Sequence, residues 1–223
     1  MKNLGLIFDL DGTLIDSGPD LVTAVNLTLT ELGLAPLASN DVSRYLGHGP
    51  GRLIRDVMGP GHEDLAERAF PIFNRHYTEH LVEGTLVYGG VRDALEHWRR
   101  SAFMGVVTNK EQGWTDELLR QLALAAYFDP VLGHGALPEH KPAPGPLLAC
   151  ARRWGLPPRS CVMIGDSEVD IHAGRAAGMW TCGVTWGNRS AAQIEALAPD
   201  FVIHDPMDLI GLFDTVISVT EQA

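Results

Sequence analysis

Cysteine is scarce in this chain: there are three, Cys150, Cys161 and Cys182. Their odd number and the lack of any C-x-x-C pair exclude a disulfide framework or a zinc knuckle, and they read as core thiols in a reducing compartment. Cationic residues are also in deficit. Seventeen Lys and Arg stand against 28 Asp and Glu, for a formal net charge of -11. A surface of that sign repels nucleic acid and anionic membrane, so neither is expected as a partner. It would equally repel an anionic small molecule, so a phosphate site here must supply its own local positive charge. No apolar run approaches the roughly 18 residues of a membrane span. Met1-Lys2 leads straight into a short apolar segment with no long hydrophobic stretch or small-residue cleavage site. The expected location is the cytoplasm. No internal repeat, G-x-S-x-G elbow or G-x-x-x-x-G-K-[ST] loop occurs, which removes the serine-hydrolase and P-loop routes.

What is present is enough for a sizeable core. Hydrophobic residues make up 45% of 223 positions, which suits one α/β domain carrying an inserted subdomain. Residues 4–10 are a compact apolar run and read as a buried strand, broken at Gly12-Thr13. Leu21, Val25, Leu29 and Leu32 then recur at helical spacing behind Pro19. Residues 52–58 and 64–80 also read as helix, after the Gly-rich turn Gly47-His48-Gly49-Pro50-Gly51. Beyond Gly89-Gly90 the pattern alternates. Helix is expected at 91–100, 115–124, 146–154 and 170–177, and strand at 103–108, 131–132, 161–165 and 181–185. A last helix-strand-helix unit is expected over 190–213. Such alternation predicts a parallel sheet with helices on both faces, whose ligands bind beyond the C-terminal ends of the strands.

Polar residues gather at those ends. Phe8-Asp9-Leu10-Asp11-Gly12-Thr13 closes the first strand. At average residue frequencies the pattern D-x-D-G-T arises by chance in on the order of one window in 10⁵. An Asx turn explains one aspartate there but not two carboxylates one residue apart. Asp9 can attack phosphorus as a nucleophile, and Asp11 can protonate a leaving alkoxide and then deprotonate water. Two carboxylates beside a phosphate dianion require a cation, and a hard oxygen-liganded ion such as Mg²⁺ meets the need. Gly165-Asp166-Ser167-Glu168-Val169-Asp170 follows a second apolar strand. Of its two aspartates, one can ligate a metal and the other support it, although both also suit a helix N-terminus. Thr108 and Asn109, in Val106-Val107-Thr108-Asn109-Lys110, can donate hydrogen bonds to phosphate without adding charge. Lys141, in Lys141-Pro142, can supply a point charge.

Taken in order, D-x-D-G-T, a strand-end Thr, a loop Lys and G-D-S-x-x-D closely resemble the four motifs of the haloacid dehalogenase superfamily of phosphotransferases. The resemblance implies a Rossmann-like parallel-sheet core with an inserted all-helical cap: core 1–15 and 85–223, cap 16–84. It implies Asp9 as nucleophile, Asp11 as acid/base, and Thr108 and Lys141 as phosphate binders. It further implies Mg²⁺ held by the Asp9 side chain, the Asp11 carbonyl and Asp166, with Asp170 in support.

Asp16-Ser17, Pro19-Asp20-Leu21, Thr108-Asn109-Lys110, Tyr127-Phe128-Asp129 and Thr185-Trp186-Gly187 are similar to phosphoglycolate phosphatases within the superfamily. Gly133-His134-Gly135 and Glu168-Val169 depart from the common pattern and leave the substrate open. The expected activity is a Mg²⁺-dependent phosphatase acting on a small phosphorylated metabolite, 2-phosphoglycolate foremost, in a monomer or homodimer. The competing readings are a phosphomutase of the β-phosphoglucomutase type and a sugar-phosphate phosphatase. Selectivity is expected from the cap, with His48 in the Gly-rich loop and Arg52 available to a substrate carboxylate.

Overall fold

The computed structural model describes residues 2–43, 45 and 49–211. The elements in chain order are β1 (Leu4–Phe8), β2 (Ile15–Asp16), α1 (Gly18–Glu31), α2 (Ser39–Ser43), α3 (Pro50–Met58), α4 (Glu63–Glu79), β3 (Leu86–Val87) and α5 (Val91–Trp98). They continue as β4 (Ala102–Glu111), α6 (Gln112–Gln121), β5 (Val131–His134), α7 (Gly145–Trp154), β6 (Cys161–Gly165), α8 (Glu168–Ala177), β7 (Trp180–Val184), α9 (Ala191–Ala196) and β8 (Phe201–Ile203). Two compact units result. One takes the described residues up to Ile15 together with those from Val87 onward, and the other is Asp16–Leu86.

The larger unit is a Rossmann-like α/β fold. Its six-stranded sheet has the order β5-β4-β1-β6-β7-β8, and every pairing in it is parallel. Strands buried on both faces should be continuously apolar, and β1 and β6 are buried at every position. The order runs outward in opposite directions from β1, which lies between β4 and β6. That reversal opens a crevice at the C-terminal strand ends, the usual ligand position in such sheets. Beneath it, Ile7, Val107, Leu147, Met163 and Ala173 pack in one apolar cluster with Cys150 and Cys161. Burial pushes both thiols up to about 12, so they are inert core groups.

Two elements differ from the sequence expectation in an instructive way. Strand β4 runs three residues past Thr108, to Glu111. Between the pairs Val107↔Leu132 and Glu111↔His134 its register shifts, so Thr108, Asn109 and Lys110 lie in a bulge. Helix α8 starts at Glu168, which puts Asp170 at its N3 position rather than at its start. The turn containing Gly47 and His48, and the end of the last expected helix at Phe213, lie outside the described residues.

The smaller unit is helical, as its 3.6-residue apolar spacing demands. Leu21, Val25 and Leu29 of α1 face its core with Leu53 and Ile54 of α3 and Phe73 and Tyr77 of α4. The Phe73 and Tyr77 rings stack at 5.6 Å. Helix α2 was not expected from periodicity, because five residues are too few to display it. The ends of the unit are tied by Asp20. Its buried carboxylate accepts from Gly84 N at 2.7 Å, Thr85 N at 2.8 Å and Thr85 Oγ1 at 2.6 Å. No described helix is long and apolar enough to cross a membrane.

Asp20→Ala strands these donors in a buried setting. It should cost roughly 2–4 kcal/mol, at about 1 kcal/mol per lost hydrogen bond plus desolvation. Chemical denaturation of the variant checks this, and a loss under about 0.5 kcal/mol would show that the tie is dispensable.

Candidate active site

The site is built from three adjacent strand ends and one loop. Beyond β1, the backbone must turn sharply at Gly12, where φ is 83°. A side chain there would be both strained and driven into the Asp166 carboxylate. Glycine therefore lets the β1 loop lie against the end of β6. Trp186 Nε1 donates to Thr13 O at 3.1 Å and joins the loop after β7 to the same cluster. Gly165 serves similarly, since a Cβ there would occupy the space of the Asp170 carboxyl.

Asp9 is 8% exposed and Lys141 only 1%. Lys141 Nζ lies 2.9 Å from Asp9 Oδ1 and 2.6 Å from Asp170 Oδ1. The other Asp170 oxygen accepts from Ser167 N at 3.1 Å and Ser167 Oγ at 2.5 Å, completing a capping box at the start of α8. Asp170 thus caps α8 through one oxygen and meets Lys141 through the other. Asp166 Oδ2 accepts from Asn188 N at 2.6 Å. The ligand atoms of Asp9, Asp166 and Asp170 lie within 4.8 Å of one another.

The bulge in β4 decides the roles of its three polar residues. Thr108 is buried, and its Oγ1 accepts from Lys110 N at 3.3 Å. Asn109 does not stand apart as a donor to solvent. Its Nδ2 binds the Lys141 carbonyl at 2.9 Å and steadies the lysine's backbone. Lys110 is the third polar residue of this stretch. Its buried ammonium contacts both oxygens of Asp11, at 2.9 Å each. The two residues are 99 apart in sequence, so no local pattern could join them. Glu168, one of the departures from the common pattern, pairs with Arg189 at 3.2 Å. In the helical unit, Arg52 spends its Nε on Asp56, at 2.9 and 2.7 Å, in an exposed i,i+4 pair. His48 lies outside the described residues.

Four carboxylates and two ammonium groups leave the cluster short of positive charge. Burial raises Asp9 to about 6; Lys141 opposes the rise, and the Asp170 and Asp11 charges add to it. Burial, reinforced by Asp170 and Asp9, raises Asp166 to about 8 against the hydrogen bonds from Asn188. Burial pulls Lys141 down, but the Asp170 and Asp9 charges outweigh it and leave its pKa raised. Lys141 therefore stays charged, and the unmet demand falls on Asp9 and Asp166. An all-oxygen donor set of buried carboxylates with excess negative charge fits a hard divalent cation such as Mg²⁺.

Fold and site together are those of an α/β phosphatase, a phosphoric monoester hydrolase. The family model for haloacid dehalogenase-like hydrolases matches residues 6–184. A phosphoglycolate phosphatase of Nitrosospira multiformis is 38% identical over 204 residues, 89% of this chain and 90% of that protein. One from Aquifex aeolicus is 35% identical over 210 residues, 94% of this chain and 96% of that protein. The crystal structure of a predicted phosphoglycolate phosphatase from Haemophilus somnus superimposes with a TM-score of 0.86 at 30% identity. It covers 95% of this chain and 97% of that one. The chain belongs to the haloacid dehalogenase-like hydrolases.

The raised carboxylates have a measurable consequence. A carboxyl whose folded pKa exceeds its unfolded value near 3.9 favours folding most when protonated. Its contribution is fully present below about pH 4 and is lost as pH rises through its folded pKa, here about 6 for Asp9 and about 8 for Asp166. In metal-free protein, Asp166→Asn should therefore stabilise more at pH 8 than at pH 5.5. A gain on the order of 1 kcal/mol corresponds to ~2–4 °C in Tm at this chain length. Thermal melts of both proteins at the two pH values check this, and equal shifts would contradict the assigned burial effect.

Proposed function

We propose that the chain hydrolyses a small phosphate monoester, 2-phosphoglycolate first among candidates, through an aspartyl phosphate on Asp9 with Mg²⁺ as cofactor. The observation that carries this reading is the convergence of Asp9, Asp11 and Asp166 at neighbouring strand ends with Lys141 from the loop before α7. The substrate choice rests on the named activity of the relatives. The helical unit Asp16–Leu86 is assigned as the cap that selects substrate, with Arg52 and His48 as the residues to substitute.

In the first step an Asp9 carboxylate oxygen attacks phosphorus. The bond from phosphorus to the ester oxygen breaks, and the Asp11 carboxyl gives its proton to the leaving alkoxide. In the second step Asp11, now a carboxylate, takes a proton from water. The water oxygen bonds to phosphorus, the bond to Asp9 breaks, and inorganic phosphate leaves. Lys141 and Thr108 bind phosphate oxygens, and Asn109 keeps Lys141 in place. The residues to hold Mg²⁺ are the Asp9 and Asp166 side chains and the Asp11 carbonyl, with Asp170 anchoring Lys141. When bound, the ion neutralises the carboxylates and the phosphate oxygens so that an anionic nucleophile can approach an anionic substrate.

Phosphate release from a panel of esters with Mg²⁺ tests the reading. The panel holds 2-phosphoglycolate, hexose phosphates and an aryl phosphate. Asp9→Asn should lower kcat at least about 10³-fold on all of them while leaving the fold intact, and chelator should abolish the wild-type rate. Preference for hexose phosphates would overturn the substrate, and full activity in chelator would overturn the cofactor.

Lys110 is assigned as a positioning residue that orients Asp11. Lys110→Met should reduce kcat for an alkyl phosphate by about 10–10²-fold, in line with loss of general acid catalysis. The aryl phosphate, whose leaving group needs little protonation, should lose much less. Equal losses on both would show that Lys110 acts on the fold or on phosphate binding instead.

A further inference from the structure

The end of α4 carries the sequence His76-Tyr77-Thr78-Glu79-His80. Spacings of three and four residues put His76, Glu79 and His80 on one face of the helix end. The structure brings them together: their ligand atoms lie within 4.8 Å of one another. All three belong to the helical unit and are remote in sequence from the aspartate cluster.

The imidazoles have a more pointed arrangement than a surface ion-pair network requires. His76 Nε2 lies 2.9 Å from Glu31 Oε2, at the end of α1. Its other nitrogen, Nδ1, is buried with no hydrogen-bond partner among the described residues. Glu79 Oε2 is 3.9 Å from that nitrogen. His80 Nδ1 is buried and likewise lacks a hydrogen bond among the described residues. Glu83 Oε1 stands 2.9 Å from it but out of hydrogen-bonding alignment. A helix C-terminus is a favourable place for histidine side chains in general. That does not account for the buried His76 Nδ1, which has no hydrogen-bond partner among the described residues and so costs desolvation energy.

A ligand that bonds to imidazole lone pairs resolves this. Glu31 Oε2 accepts from His76 Nε2 in the tautomer that leaves the lone pair on Nδ1, and Arg75, itself paired with Glu31, lies 3.3 Å from the same Nε2. That is the carboxylate–histidine arrangement that orients metal-ligating rings. We propose that His76 Nδ1, His80 Nδ1 and the Glu79 carboxylate form a binding site for a borderline divalent transition metal such as Zn²⁺. Glu31 orients the first ring. The nitrogen-rich donor set selects Zn²⁺, Co²⁺, Ni²⁺ or Cu²⁺ over Mg²⁺, which takes oxygen ligands. Three protein ligands leave a fourth tetrahedral position for water. Occupancy would fasten the C-terminal ends of α1 and α4 within the helical unit.

The test is calorimetric titration of metal-stripped full-length protein with Zn²⁺ in excess Mg²⁺. The same samples are titrated with Co²⁺ to follow its visible absorption. Asp166→Asn serves as the background, because it weakens Zn²⁺ binding at the aspartate cluster. The expected result is one Zn²⁺ per chain at micromolar affinity or tighter, with the intense visible bands of tetrahedral Co²⁺ and a Zn²⁺-dependent rise in Tm. Adding His76→Gln and His80→Gln to that background should weaken binding at least about 100-fold and remove the Tm rise. Glu79→Gln, which keeps both rings, should weaken it about 10-fold and decides the matter should the double histidine variant fail to fold. No Zn²⁺ binding below millimolar concentration, or binding unchanged by these substitutions, would overturn the site.

Discussion

One buried cation holds the site together. Lys141 is almost fully enclosed, and its ammonium is shared between Asp9 and Asp170. A charge taken out of water costs several kcal/mol unless partners repay it, and removing either partner would leave an uncompensated ion. The arrangement is therefore all-or-nothing. Asp170 is itself held by the capping box of α8, and the lysine backbone by Asn109. The position of Asp9 is thus linked through one ammonium group to a helix start and a bulged strand. The same imbalance supports the proposed divalent ion: one lysine between two carboxylates leaves Asp166 unbalanced.

The fold brings these groups together because parallel strands place their C-terminal ends on one edge of the sheet. β1 sits centrally, with β4 and β6 as direct neighbours. Their ends contribute Asp9 and Asp11, Thr108 to Lys110, and Asp166. Regular pairing would have carried β4 straight past this edge. The register of β4 against β5 shifts between Val107 and Glu111, and Lys110 within that stretch reaches Asp11 just beyond β1. The loop after β7 adds Trp186 and Asn188 to the same edge.

The two proposed metal sites differ in their donor sets. The larger unit offers buried carboxylates and suits a hard ion. The helical unit offers imidazoles beside a carboxylate at the end of α4 and suits a borderline one. The overall negative charge favours cations at both places, but ligand softness sorts which ion each prefers.

The aspartates that gather in the candidate site and the alternating fold were legible in the sequence, because each rests on local spacing. D-x-D-G-T and G-D-S-x-x-D follow apolar runs directly, and strand and helix periods need only a window of residues. The partnership of Lys110 with Asp11 was not legible, since it arises only once β1 and β4 lie side by side. Asn109 looked like a phosphate donor, and only the folded loop showed its amide turned to Lys141. The contact of His76 with Glu31, on another helix, likewise spans 45 residues and has no local signature. Sequence by itself determined which groups could do the chemistry. Tertiary structure decided which of them meet, because contacts between distant segments depend on strand order, bulges and helix packing that no single window contains.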